Sequence, residues 1–203
     1  MANLKKRAAI FLLILLINTP LFLRFSRIEK GSEPGGNLSP SISLTSISFK
    51  SGNKIDKKHT CFGKNISPQL SWDNAPPGTK SYAILVTDYD VPIPSLQFTQ
   101  VVHWLLVNIP GDRNRISENL ANKKAFKNGM VQGQRELAGV SLGKFGYNGP
   151  CPKLGTHTYH LRFYALKKKL KLPPSASINR RWFFKQIRGN ILGVGEMTWE
   201  YYQ

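Results

Sequence analysis

Two apolar runs limit what this chain can fold into: Tyr82-Ala83-Ile84-Leu85-Val86 and Val101-Val102-His103-Trp104-Leu105-Leu106-Val107-Asn108-Ile109. Both are rich in β-branched and aromatic residues, and in an extended chain both are apolar on each face. Runs of that kind suit central strands of a packed sandwich. Turn signals bracket them, at Ala75-Pro76-Pro77-Gly78, Val91-Pro92-Ile93-Pro94 and Pro110-Gly111-Asp112. Further strands are expected at 41–49, where Ile42 and Leu44 alternate with Ser41, Ser43 and Thr45, and at 159–166 and 197–202. Several punctuated strands indicate an all-β sandwich or barrel.

One helix is expected late in the chain. Pro173-Pro174-Ser175 ends a strand, Ser175 or Ser177 can cap a helix running to about Arg188, and Gly189 is a fitting stop. Ile178 with Trp182, and Phe183 with Ile187, form its apolar side. Arg180, Arg181, Lys185 and Arg188 spread over the rest as a solvated face, with contact to a membrane surface as the alternative.

The 203 residues suit one domain plus a tail. The net charge is +18, of which the first 27 residues carry five basic groups and no acid, leaving +13 beyond them. Such a balance favours anionic partners: phospholipid head groups, nucleic acid or acidic glycans. Nucleic acid is set aside, because the basic residues are scattered and no nucleic-acid motif is present.

Residues 1–27 contain Lys5-Lys6-Arg7, then an apolar stretch from Ala8 to Ile17 and a second from Leu21 to Leu23. A basic start followed by about ten apolar residues reads as a secretory signal. An uncleaved membrane anchor is the alternative. Either reading exports the rest of the chain, to the periplasm or medium or tethered at the inner membrane. Residues 28–41, rich in Gly, Ser and Pro, read as a linker, and residues 42–203 as the domain. In an oxidising compartment the only two cysteines, Cys61 and Cys151, permit a disulfide; two separate thiols are the alternative.

Candidate chemistry lies at strand ends. Alternation places His157, Tyr159, Leu161 and Phe163 on one face, and Thr158, His160, Arg162 and Tyr164 on the other. His157 and Tyr159 then start a buried face, while His160 reads as ordinary surface. His103 shares a face with Val101, Leu105 and Val107. Asp88 and Asp90, two apart, can place both carboxylates on one side, where they repel unless a cation or donor sits between them. Each residue alone has a structural explanation: a buried histidine bonded to a carbonyl, or a turn-capping aspartate.

Five motifs run in one order: Asp88-Tyr89-Asp90-Val91-Pro92, His103-Trp104, Asn108-Ile109-Pro110, Gly149-Pro150-Cys151-Pro152 and Gly155-Thr156-His157-Thr158-Tyr159. Their order and spacing resemble the phosphatidylethanolamine-binding protein family, from about Ile42 to Tyr202. The stretch from Cys61 to Trp72 is similar to its bacterial, Raf kinase inhibitor-like branch. The resemblance implies a Greek-key antiparallel β-sandwich with a C-terminal helix. It implies a small pocket for phosphate-like or acetate-like anions and phosphorylated head groups, lined by Asp88, Asp90, His103, Pro150, His157 and Tyr159. Tyr89, Val91 and Lys153 replace residues usual in the family, and 133–146, with Gln134-Arg135-Glu136, is longer or altered.

The expectation is therefore a ligand-binding module with no cofactor, no metal and no catalytic residue. An inhibitor or regulator of a protease or other protein is the alternative. A hydrolase or metal enzyme using Asp88, Asp90, His103 and His157 is the least favoured reading, since Gly-x-Ser-x-Gly and His-Glu-x-x-His are both missing.

Overall fold

The computed structural model describes residues 33–202 apart from 96, 98 and 174–177, so residues 1–27, expected to be a leader or anchor, and the expected caps Ser175 and Ser177 lie outside the described residues. Among the described residues ten strands form two sheets. The small sheet has the order β1 (Ser43–Thr45), β2 (Leu70–Asp73), β5 (Arg115–Ile116). The large one has the order β10 (Ile191–Tyr201), β9 (His157–Leu166), β3 (Ser81–Val91), β4 (Thr99–Pro110), β7 (Gln134–Leu137), β8 (Val140–Phe145), with β6 (Val131–Gln132) also on β4. All these pairings are antiparallel. Late in the chain, β9 returns to lie beside β3, on the side away from β4, which is the Greek-key return.

The two central runs are apolar throughout because the large sheet is covered twice. Between the sheets lie Trp72, Ile84, Trp104, Leu161, Phe163 and Trp199. On the far face Leu85, Val102, Leu105 and Tyr164 pack with Phe183 and Ile187 of α1 (Arg180–Ile187), the one α-helix among the described residues. Burying each large apolar side chain stabilises the fold by about 1.5–3 kcal/mol before entropy is counted.

Local chemistry shortens two expected elements. The 41–49 strand contracts to Ser43–Thr45, because the Ser46 hydroxyl donates to the Gln69 carbonyl and then accepts from the Ser48 amide. These side-chain bonds compete with a sheet ladder. The helix starts at Arg180, later than expected, and is capped by Asn179, whose side-chain oxygen accepts from the Trp182 amide at 2.8 Å. Ile178 cannot join it: its side chain is fully buried and its carbonyl accepts from the Gln134 amide. Gly189 has φ +67° and ends the helix as expected.

Part of the 28–41 stretch is packed rather than free. Pro34 is buried, and the Ser41 and Ile42 amides donate to the Val194 carbonyl. The Glu33 carboxylate meets Arg162 at 3.1 Å, Arg180 at 3.2 Å and the Tyr89 hydroxyl. Composition could not show this, because every partner comes from a distant strand or helix.

Candidate ligand-binding site

Pairing of β3 with β9 sets Asp88 opposite Tyr159, and pairing of β9 with β10 sets Tyr159 opposite Trp199. Tyr159 stacks on Trp199 with rings 6.1 Å apart and 8° from parallel. The His103 ring meets Tyr159 edge to face at 5.1 Å. His157 Nδ1 lies 2.8 Å from Asp88 Oδ2, and His103 Nε2 lies 4.0 Å from the same oxygen. Asp88, His103, His157 and Tyr159 thus meet on the inner face at one end of the sandwich, all buried.

Hydrogen-bond partners set the ring chemistry. His103 Nδ1 is 2.6 Å from the Asn148 carbonyl, which can only accept, so Nδ1 carries the proton. In the neutral ring Nε2 then offers a lone pair. Burial lowers the His103 pKa, and the charge of Asp88 only partly opposes this. Nε2 has no hydrogen-bond partner, and the buried Tyr159 hydroxyl meets the Cys151 backbone. Burial, with the charge of Asp88, pushes the Tyr159 pKa up, so the phenol keeps its proton and can donate it. His157 faces acceptors on both sides, with the Leu154 carbonyl 3.2 Å from Nε2.

Asp90 takes another role. Its Oδ2 accepts from the Thr158 amide at 2.9 Å, and its Oδ1 from the Gln97 side chain at 2.6 Å. Asp88 Oδ1 accepts from the Asp90 amide. Each carboxylate therefore has its own donors within the protein. Asp90 thus ties Gln97 to the start of β9, and its charge still acts on Tyr159.

Pro150 belongs to a wall built by two crossing loops. Its carbonyl accepts from the Cys61 amide at 3.0 Å, and the Cys61–Cys151 disulfide fastens the crossing, with Cα atoms 5.4 Å apart. The wall is tight at Gly149, where a Cβ would fall 1.9 Å from the His59 carbonyl oxygen. The Gly149 amide donates to Asn65 Oδ1 at 2.7 Å. Gly149-Pro150-Cys151 is thus a close approach, a buried ring and a covalent tie in succession.

Two residues near the motifs lie away from this pocket. Tyr89 faces the opposite side of the sheet, where its ring packs on His160 at 5.6 Å. His160 is half-buried there, with its pKa lowered by burial, and is not ordinary surface. Both line a separate cleft of about 410 Å³, with Glu33, Arg162 and Glu196. Lys153 is exposed. Sequence reasoning missed Arg135, Asn148 and Asn65 behind the wall; only the altered 133–146 segment marked that region. Among the described residues, no group of three or more His, Cys, Asp or Glu is arranged to hold a metal ion.

The profile described as phosphatidylethanolamine-binding protein matches residues 45–202. The chain belongs to the phosphatidylethanolamine-binding protein family. Within this family it is 36% identical over 156 residues to a UPF0098 protein of Methanothermobacter thermautotrophicus, spanning 77% of this chain and 95% of that one. It is 30% identical over 164 residues to the UPF0098 protein YbcL of Escherichia coli, spanning 76% and 84%. Among solved structures, the Chlamydia trachomatis homologue CT736 of the phosphatidylethanolamine-binding protein family superposes with a TM-score of 0.68 at 30% identity, covering 81% of this chain and 99% of that one. YbcL superposes with a TM-score of 0.67 at 29% identity, covering 80% and 99%. The two-sheet architecture with one late helix is thus the family fold.

Proposed function

We propose that the inner-face pocket of this chain binds small anionic ligands, foremost phosphorylated head groups, and that the protein is a binding module rather than an enzyme. One observation carries the reading: a buried polar atom, His103 Nε2, stands without a partner 4.0 Å from Asp88 Oδ2, with the buried Tyr159 ring against the same imidazole. Leaving a buried polar atom unsatisfied costs about 1–3 kcal/mol. A ligand that accepts from the phenol and donates toward Nε2 and Oδ2 removes that cost. A phosphorylated amine does both, and the family takes its name from a lipid whose head group carries phosphate and an ammonium. The test is titration with phosphoethanolamine and with inorganic phosphate while the His103 and His157 ring signals are followed by NMR. Ring shifts that saturate support the reading; no perturbation of either ring at millimolar ligand overturns it.

The same proposal includes export. A disulfide closing a long loop suits an oxidising compartment, and residues 1–27 have the basic-then-apolar order of a leader or anchor. Fractionation of the producing cell, with sequencing of the mature N-terminus, decides between a cleaved leader and an anchor. Recovery in the cytoplasm with both thiols free overturns export.

A further inference from the structure

The pocket as built so far is a poor place for an anion. Asp88 stands in it, Asp90 beside it, and His103 is kept neutral by burial. A cation is needed close by, and the strong basicity of the chain as a whole is too diffuse and too screened to supply it.

Arg135 on β7 meets the need. Its Nη1 donates to Asn148 Oδ1 at 3.0 Å and its Nη2 to the Tyr147 carbonyl at 3.0 Å. The Asn148 carbonyl in turn accepts from His103 Nδ1. One residue therefore separates the guanidinium from the pocket ring, and the positive charge is felt at His103, where it opposes protonation. Among the described residues Arg135 has no acidic partner; its hydrogen bonds go to neutral oxygens, and its Nε is buried with none. The neighbouring Glu136 is turned to the helix, where it accepts from the Arg180 amide. Burial depresses the Arg135 pKa without displacing its proton. Arg135 is half-buried, so its charge loses part of its hydration without a counter-ion to compensate, and an anion bound nearby would restore that balance.

The second constraint is the pair of acceptors. His103 Nε2 and Asp88 Oδ2 lie 4.0 Å apart, and neither has a proton to offer the other in the neutral-ring state. Whatever fills the space must bring a donor as well as a negative charge. A phosphate monoester or inorganic phosphate retaining one P–OH has both. A carboxylate, or a phosphodiester without an amine, has charge alone.

We propose that Arg135 is the counter-ion of the bound ligand, and that with the Asp88–His103 acceptor pair it makes the pocket select phosphate monoesters and inorganic phosphate over diesters and carboxylates. This deepens the anion-pocket reading and rests on it. The role is specific to a guanidinium held by two hydrogen bonds, on a segment that departs from the family pattern.

Calorimetric titration of the folded, disulfide-bonded protein with inorganic phosphate, dimethyl phosphate and acetate tests it. Inorganic phosphate is expected to bind at least about tenfold more tightly than the other two, and Arg135→Gln to weaken it by about tenfold or more. Arg135→Lys, which keeps the charge, is expected to lose less than Arg135→Gln. Arg181→Gln on the exposed side of α1, which removes one charge far from the wall, is expected to leave binding unchanged. Wild-type affinity for phosphate retained in Arg135→Gln overturns the proposal. So does an equal loss in Arg135→Lys and Arg135→Gln, which would make the effect one of wall geometry. Should Arg135→Gln not fold, equal binding of phosphate and dimethyl phosphate by the wild type still overturns the selectivity. Failure of the wild type to bind any of the three probes sinks the pocket reading itself, a distinct outcome.

Discussion

His157 and Asp88 are 69 positions apart in the chain, yet Nδ1 of the one lies 2.8 Å from Oδ2 of the other. The contact spans the β3–β9 pairing and is fully buried, so it joins sheet assembly to pocket assembly. Asp88→Asn keeps the shape but replaces one acceptor oxygen by an amide donor, which must face either the His157 ring or the Asp90 amide. The expected loss is about 1.5–3 kcal/mol of stability, the range for a hydrogen bond to a charged group. Urea unfolding checks it, as a lower midpoint with an unchanged m-value.

The pH dependence follows from buried histidines. Burial lowers the pKa of His59, His103 and His160 from the ordinary 6.5. The unfolded chain takes up protons near that value while the folded chain declines them. Stability held at neutral pH is therefore lost as pH falls below 6.5 and toward the folded-state values, and does not change on this account above it. Thermal melts across that range should show the drop. In His103→Asn the slope should be shallower than in the wild type; an identical slope would show that His103 does not contribute.

Gly149 has no room for a methyl group. Gly149→Ala places a Cβ 1.9 Å from the His59 carbonyl oxygen, so the two crossing loops must move apart. Overpacking of that kind costs about 1–3 kcal/mol. It should also shift the His103 ring signal, since the neighbouring Asn148 carbonyl holds that ring. A variant with wild-type stability and an unmoved ring would show the wall to be more pliable than its geometry indicates.

The Glu33 carboxylate is shared by two guanidinium groups, Arg162 and the buried Arg180. Glu33→Gln leaves both with less counter-charge. Truncating one member of a buried ion pair costs about 3–5 kcal/mol, and the loss should fall near the lower end because Arg162 also pairs with Glu196. Chemical denaturation measures it, and amide exchange should quicken first along β10, whose Val194 carbonyl anchors Ser41 and Ile42.

Strand interiors were legible in the sequence because their pattern follows burial. His157, Tyr159, Leu161 and Phe163 do share the inner face, and the two apolar runs are the centre of the large sheet. What stayed hidden depends on partners far away in the chain. Short strands such as β5 and β6 exist only because a longer neighbour pairs with them, and no two-residue pattern announces that. Asp90 is held by the Thr158 amide and Gln97, partners that its own motif does not announce. Tyr89 read only as a departure from the family pattern and His160 as ordinary surface, because Glu33, which packs over both on the far face of the sheet, lies far away in the chain. Arg135 sits in the one segment where the pattern breaks, so its isolation from acidic partners could emerge only from the packing.

Reducing the Cys61–Cys151 bridge, which closes a span of 90 residues, should lower stability by on the order of 4–5 kcal/mol in the chain-entropy model. Denaturation with and without reductant, alongside a Cys61→Ala/Cys151→Ala double variant, measures the loss.

The same bridge has a consequence for how the molecule endures damage. It encloses the β7–β8 hairpin, whose outer strand is exposed along most of its length and whose turn carries Gly139. A protease that cuts this hairpin severs the chain between the two halves of the pocket, with Asp88, His103 and Arg135 on one piece and His157 and Tyr159 on the other. The pieces remain covalently joined and still share the β3–β9 pairing. A nicked molecule would therefore run as one species until reduced, and would hold its ligand as two chains.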